Sequence, residues 1–225
     1  MTQIYNNEAV IFDLDDLLYK EFDYMRSAFW AIAQMIEGEH PKKLFRMMMA
    51  QYFLGNRVLN WLSDEYLTNN DKYSLEILIA FYRNHKPDIS ISSEAFNLLE
   101  ALKRNGNSIG LLTDGRSVTQ RNKIEALGLN KWMNLVSVSE ECGFEKPCEE
   151  PFLLFMTRFD SEKFVYLADN YNKDFVAPNK LGWRTIALLD NGLNIHIKNQ
   201  SLNQINYPTE VVATLSEIKV SSYSN

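Results

Sequence analysis

The sequence predicts an α/β protein: a parallel sheet covered on both faces by helices, with a mainly helical segment inserted after the first strand. Two observations carry this. Short apolar runs of strand length recur along the chain and alternate with segments of helical apolar spacing, which is the pattern of a sheet buried on both sides. From about residue 20 to residue 86 that alternation stops. Met, Leu, Phe, Tyr and Trp dominate there without strand signals, over a length too great for an ordinary strand-to-helix loop.

The elements follow in order. Ala9–Phe12 is an apolar run that ends at Asp13 and reads as the first strand. Ala28, Phe29, Ile32 and Ile36 share a helical face, so residues 24–36 predict the first helix of the insert; residues 73–82 predict its last, closed by Pro87. Ala95, Leu98, Leu99 and Leu102 lie on one face of a further helix, with Gly106 as its C-terminal cap. Residues 108–112 read as a strand, and Ser117 is placed to cap a helix that runs to Leu127 and stops at Gly128. Strands over 135–138, 164–167 and 185–188 alternate with a helix over 149–157 and a shorter one after Asp169. Residues 211–213 add one more strand. The polar stretch from Asn191 to Asn206 is expected to be a surface connection.

Composition narrows the function. The chain has 225 residues, 46% of them hydrophobic, enough for a substantial core. With 23 basic and 29 acidic residues, a formal net charge of -6, it has no general hold on nucleic acid phosphates. No apolar stretch is long enough to cross a bilayer, and no basic-then-apolar leader opens the chain; a cytoplasmic location is expected. Cys142 and Cys148 form no disulfide framework, and His40, His85 and His196 have no zinc-ligand spacing. The expected state is a monomer or weak homodimer.

The chemistry gathers at strand ends. Asp13, Asp15 and Asp16 follow the first strand, and Thr113–Asp114 the next. Lys146–Pro147 comes soon after the strand ending at Val138. Asp169 and Asp174 follow the strand ending at Leu167. A parallel sheet presents all its carboxyl ends on one side, where ligands bind in open sheets. Carboxylates, a hydroxyl and an ammonium would converge there. Several carboxylates without a histidine cluster favour a hard, oxygen-ligated cation such as Mg²⁺. A carboxylate can attack phosphorus, a second can protonate the leaving oxygen, and lysine and a hydroxyl can hold the equatorial oxygens. Neither a lysine-tipped glycine loop nor a serine elbow is present.

Taken together, four motifs resemble the haloacid dehalogenase-like hydrolase superfamily, subfamily I, with a helical cap. They are Asp13-Leu14-Asp15-Asp16-Leu17, Leu111-Leu112-Thr113-Asp114-Gly115, Lys146-Pro147 and Leu167-Ala168-Asp169-Asn170 through Asp174. Gln120, Lys123-Ile124 and Leu127-Gly128-Leu129 also match. The resemblance implies a Rossmann-like core with residues 1–17 as first strand and catalytic loop, 18–87 as cap and 88–225 as the remainder. It implies Asp13 as nucleophile and metal ligand, and Asp15 as general acid and base with its backbone carbonyl on the metal. Thr113 and Lys146 would hold the phosphoryl group, Asp169 would be the second metal carboxylate, and Asp174 would orient Lys146 or a metal-bound water. Three positions depart from the pattern. Leu17 replaces a β-branched residue, Ala168 replaces glycine, and Asp114 stands where asparagine is common and is expected to turn away and hold loop geometry.

A halide leaving group needs no proton and a phosphate ester's leaving oxygen does, so Asp15 favours a phosphatase over a dehalogenase. The function the resemblance implies is a Mg²⁺-dependent phosphomonoesterase acting on a sugar phosphate or nucleotide through an aspartyl-phosphate. A phosphoglucomutase-like phosphotransferase and a non-catalytic phosphometabolite-binding protein are the alternatives. In the cap, basic and acidic residues balance, which suits a small substrate. Tyr24, Arg26, Arg46, Arg57 and Trp61 could touch it, but core packing is the better account of each aromatic and solvation of each arginine, so none is assigned to the site.

Overall fold

A computed structural model describes residues 2–68, 70–195 and 202–222. The strands are β1 (Gln3–Tyr5), β2 (Glu8–Phe12), β3 (Ile109–Thr113), β4 (Leu135–Val138), β5 (Lys163–Ala168), β6 (Arg184–Leu188), β7 (Glu210–Val212) and β8 (Lys219–Ser221). The helices are α1 (Glu21–Glu37), α2 (Lys42–Phe53), α3 (Val58–Trp61), α4 (Leu75–Asn84), α5 (Ser93–Asn105), α6 (Ser117–Ala126), α7 (Ser139–Cys142), α8 (Glu150–Arg158) and α9 (Val176–Lys180). Six strands form one parallel sheet in the order β4-β3-β2-β5-β6-β7, and α1 to α4 form the helical insertion after β2.

Central position explains the composition of β2. All five of its residues are buried, as a parallel strand covered on both faces requires. Its alternation sends Val10 and Phe12 to one core with Leu98, Leu99 and Leu102 of α5 and Ile124 of α6. Ala9 and Ile11 face the other core, with Phe152 and Phe155 of α8 and Trp183. Gly110 of β3 leaves the room that the Phe155 ring fills. A Cβ there would lie 2.5 Å from Phe155 Cε1 and 3.2 Å from Ile11 Cγ1. The insert has its own core, in which Met25, Phe29 and Ile32 of α1 meet Leu44 and Met48 of α2 and Leu78 of α4.

The four tryptophans divide between these cores. Trp183 stacks on Phe164 at 4.7 Å, and Trp132 packs edge-on against Phe96 at 5.5 Å; both are buried. Trp30 and Trp61 belong to the insert, beside Phe45 and Tyr66, and are only half-buried.

The structure corrects the sequence reading in four places. A first strand, β1, precedes the expected one and pairs in parallel with β8 in a separate two-stranded sheet, Ile4 opposite Val220. Three residues are too few to show a period, and their partner lies at the other end of the chain. Ser117 does not cap α6: the N-cap is Arg116, and the Ser117 hydroxyl donates to Glu141 Oε1 at 2.6 Å. In the stretch 191–206 most described residues are exposed, as a surface connection requires, but Asn194 also reaches the strand-end cleft, in a turn where the Asp190 carboxylate accepts the Gly192 and Asn194 amides. A fourth difference is at the insert's entry, where α1 starts at Glu21, three residues before the expected helix, with Glu21 and Asp23 in its first turn. His196 lies outside the described residues.

Candidate active site

Register puts the carboxyl ends of β2, β3 and β5 side by side. Phe12 lies opposite both Leu111 and Leu167, so the residues that follow project from one edge. Asp13 is anchored there by its amide, which donates to the Leu167 carbonyl at 2.9 Å. Lys146 is buried with its Nζ 2.9 Å from Asp13 Oδ1 and 2.8 Å from Asp174 Oδ1, and it donates to the Tyr166 hydroxyl at 3.1 Å. Asp174 also accepts the Asn170 amide at 3.0 Å. Asp114 turns to the Lys146 loop, accepting the Lys146 amide at 3.1 Å and pairing with Lys173 at 2.5 Å.

Carboxylate oxygens of Asp13, Asp169 and Asp174 lie within 4.8 Å of one another. One oxygen of Asp169, Oδ1, is buried without a hydrogen-bond partner among the described residues, while Oδ2 accepts the Asn194 side-chain amide at 2.8 Å. An all-oxygen set with a buried, unpartnered lone pair suits a hard divalent cation, so the residues present fit the metal that the resemblance implies. Burial pushes the Asp13 carboxyl up to about 7, against the pull of Lys146. Burial, with Asp13 and Asp174 adding repulsion, pushes Asp169 up to about 9. Burial alone would lower Lys146, but Asp13 and Asp174 outweigh it and hold the ammonium well above its usual range.

Asp15 sits apart from that group. Its Oδ1 accepts from Lys123 Nζ at 2.7 Å and from the Tyr19 hydroxyl, and its Oδ2 accepts from Gln120 Nε2 at 3.0 Å. Burial pushes its carboxyl up, yet Lys123 and these hydrogen bonds win and hold it below the usual range. Gln120 Nε2 also donates to Thr113 Oγ1 at 2.5 Å, so one amide joins the hydroxyl at the end of β3 to Asp15. Asp16 is fully buried in the left-handed region, φ 57°, where its carboxylate accepts the Glu21 and Ile195 amides.

Thus Asp13, Lys146, Asp169 and Asp174 come together, Thr113 and Asp15 are linked through Gln120, and Asp114 stands behind Lys146. Sequence reasoning gave no role to Tyr166, Lys123, Glu21 or Asn194. Gln120 and Lys123 carried a readable signal, since three residues apart on a helix they share a face. Asn194 carried none.

The model of the family described as "Haloacid dehalogenase-like hydrolase" matches residues 10–188. The chain belongs to that family. Among curated relatives of this haloacid dehalogenase-like hydrolase, a glyceraldehyde 3-phosphate phosphatase of Methanocaldococcus jannaschii is 25% identical over 201 residues, 81% of this chain and 85% of the relative. A ribulose-1,5-bisphosphate 5-phosphatase of Halopiger xanaduensis is 32% identical over 109 residues; that match spans 48% of this chain and only 46% of the relative. The crystal structure of a HAD phosphatase from Thermococcus onnurineus shares the fold, with TM-score 0.58, 18% identity and coverage of 93% of this chain and 95% of that one. This haloacid dehalogenase-like hydrolase is an enzyme of the phosphatase type. No helix among the described residues is long and apolar enough to cross a membrane.

Proposed function

We propose that the protein is a Mg²⁺-dependent phosphomonoesterase for a small phosphorylated metabolite, a sugar phosphate or nucleotide, working through an aspartyl-phosphate on Asp13. The observation that carries this reading is the pairing of two unlike aspartates. Asp13 lies beside a buried lysine and two more carboxylates, and Asp15 lies in its own polar network two residues on. Curated relatives whose names specify phosphorylated metabolites support the substrate class.

In this reading residues 1–17 and 88–225 form the core, and residues 18–87 form a cap. A bound Mg²⁺, held by Asp13, Asp169 and the Asp15 backbone carbonyl, would supply positive charge to the transferring phosphoryl oxygens. Asp13 Oδ attacks phosphorus and the bond to the leaving oxygen breaks. That oxygen takes a proton from Asp15 in its less populated protonated form, and the resulting carboxylate then removes one from the water that attacks the acyl phosphate, so that Asp13 is restored. Lys146 holds charge beside Asp13 throughout, Asp174 keeps Lys146 in place, and Thr113 binds a phosphoryl oxygen.

Rapid-quench labelling tests the assignment. Wild-type protein with Mg²⁺ and a phosphomonoester is expected to give an acid-stable, hydroxylamine-sensitive phosphoprotein, and Asp13→Asn none. Chelation is expected to abolish turnover and Mg²⁺ to restore it. Turnover that persists in thoroughly chelated protein, or a phosphoprotein retained by Asp13→Asn, would overturn the reading.

A further inference from the structure

We infer that Lys123 is a positioning residue that ties the Asp15 carboxylate to the first turn of the helical insert, so that the insert's placement sets where Asp15 points. The acid–base part of this inference rests on the function proposed above; the tie itself does not.

Lys123 belongs to α6, in the core, and is 2% exposed. Its Nζ has partners on both sides of the junction. One is Asp15 Oδ1 at 2.7 Å. On the insert side are Glu21 Oε1 at 3.8 Å and the face of the Tyr24 ring, 4.5 Å from its centroid. Both insert residues lie in the first turn of α1, and the Tyr24 hydroxyl is itself fixed to the Tyr82 carbonyl of α4 at 2.8 Å. The same helix α6 also holds the insert's exit. Thr119 donates to the Arg83 carbonyl at 2.9 Å, and Asn122 to the Asn84 carbonyl at 3.1 Å. One core helix therefore receives both connections of the insert, and its buried cation sits between the insert and the acid–base aspartate. A lysine whose only task was to neutralise Asp15 would need no contact with α1. Any shift of Glu21 and Tyr24 relative to α6 must change the surroundings of the ammonium, and with them the hold on Asp15 Oδ1. Gln120 passes the same constraint to Thr113 through its shared amide.

The experiment uses the full chain as wild type, Lys123→Met and Lys123→Arg, with Mg²⁺, β-glycerophosphate as an alkyl ester and p-nitrophenyl phosphate as an aryl ester. Lys123→Met is expected to lower kcat on the alkyl ester at least about tenfold, because that leaving oxygen depends on a placed acid and the loss of placement outweighs the easier protonation of Asp15 once Lys123 is gone, and to lower it less on the aryl ester. KM is expected to change less than kcat, since Lys123 reaches the phosphate-binding Thr113 only indirectly, through Asp15 and Gln120. Amide exchange at residues 21–24 is expected to quicken several-fold. Lys123→Arg should recover most of each change, because it keeps a cation in place. Glu21→Gln, which weakens the insert side and keeps the Lys123–Asp15 contact, should shift the same quantities in the same direction by less, and it serves if Lys123→Met does not fold. An unchanged ratio of alkyl to aryl kcat together with faster exchange would reduce Lys123 to a merely structural role and overturn the inference. So would unchanged exchange in both Lys123→Met and Glu21→Gln. A wild type that turns over neither ester would instead sink the proposed function, and exchange would then decide the tie alone.

Discussion

Replacing Lys146 by Met tests the electrostatic design of the site. In the folded protein the ammonium lies 2.9 Å from Asp13 and 2.8 Å from Asp174, both nearly or fully buried. At an effective dielectric constant near 20, each contact is worth about 6 kcal/mol of gross attraction, most of it offset by the cost of removing the charges from water. What remains visible is the loss when one partner goes and the others stay buried and unpaired, about 3–5 kcal/mol. That is a large share of the roughly 5–15 kcal/mol that holds a domain folded. The loss should depend on pH. Burial already pushes the Asp13 carboxyl up from 3.8 to about 7 in the folded chain, and without Lys146 it moves higher. A carboxyl raised by folding binds more protons folded than unfolded, so its contribution to stability falls as pH rises from about 4 through the folded value. The deficit of Lys146→Met should therefore be clearly larger at pH 8.5 than at pH 5.5. Urea unfolding of both proteins in EDTA at the two pH values measures it. Equal midpoints at pH 8.5, or a deficit that grows on acidification, would refute the account.

Asp15→Asn should slow phosphoenzyme formation by about 10²- to 10⁴-fold with an alkyl ester and by less with an aryl ester, and the phosphoprotein should accumulate with the latter; equal slowing with both would remove Asp15 as the acid. Asn194→Ala frees the Asp169 carboxylate from its orienting amide and should weaken Mg²⁺ binding about tenfold by calorimetric titration, whereas an unchanged affinity would deny the loop any part in the site. Gly110→Ala drives a methyl to 2.5 Å from the Phe155 ring and should cost about 1–3 kcal/mol in urea unfolding, recovered in part by adding Phe155→Leu; additivity of the two changes would show that the contact is not the cause.

What could be read from the sequence follows from where the information lies. Asp13, Thr113 and Asp169 each end or directly follow an apolar run, and a parallel sheet lines up such ends, so local pattern plus topology sufficed to bring them together. The helical insertion was visible because nearly seventy residues lack the strand period. Tyr166 was hidden by its setting, since inside a strand buried beyond its first residue a tyrosine reads as another large apolar residue until its hydroxyl is seen to accept from Lys146. Lys123 matched the resemblance and shares a helical face with Gln120, but no local pattern showed that it is buried. Its burial arises only when the insert folds over α6, a contact between segments about a hundred residues apart. Asn194 reaches Asp169 through an Asp190-centred turn that no periodicity announces. The pairing of β1 with β8 depends on the two ends of the chain meeting, which no local window contains.

The division of the tryptophans gives the protein a set of optical labels. Trp183 and Trp132 are buried on either side of the main sheet, and Trp30 and Trp61 lie half-buried among the helices that follow β2. Their indole emission is expected to fall into two populations by polarity of surroundings, one shielded and blue-shifted, one wetter and more accessible to an aqueous quencher such as iodide. Two double Trp→Phe variants, one for each pair, would turn a single fluorescence titration into separate records of the sheet and of the helices above it, without attaching any dye.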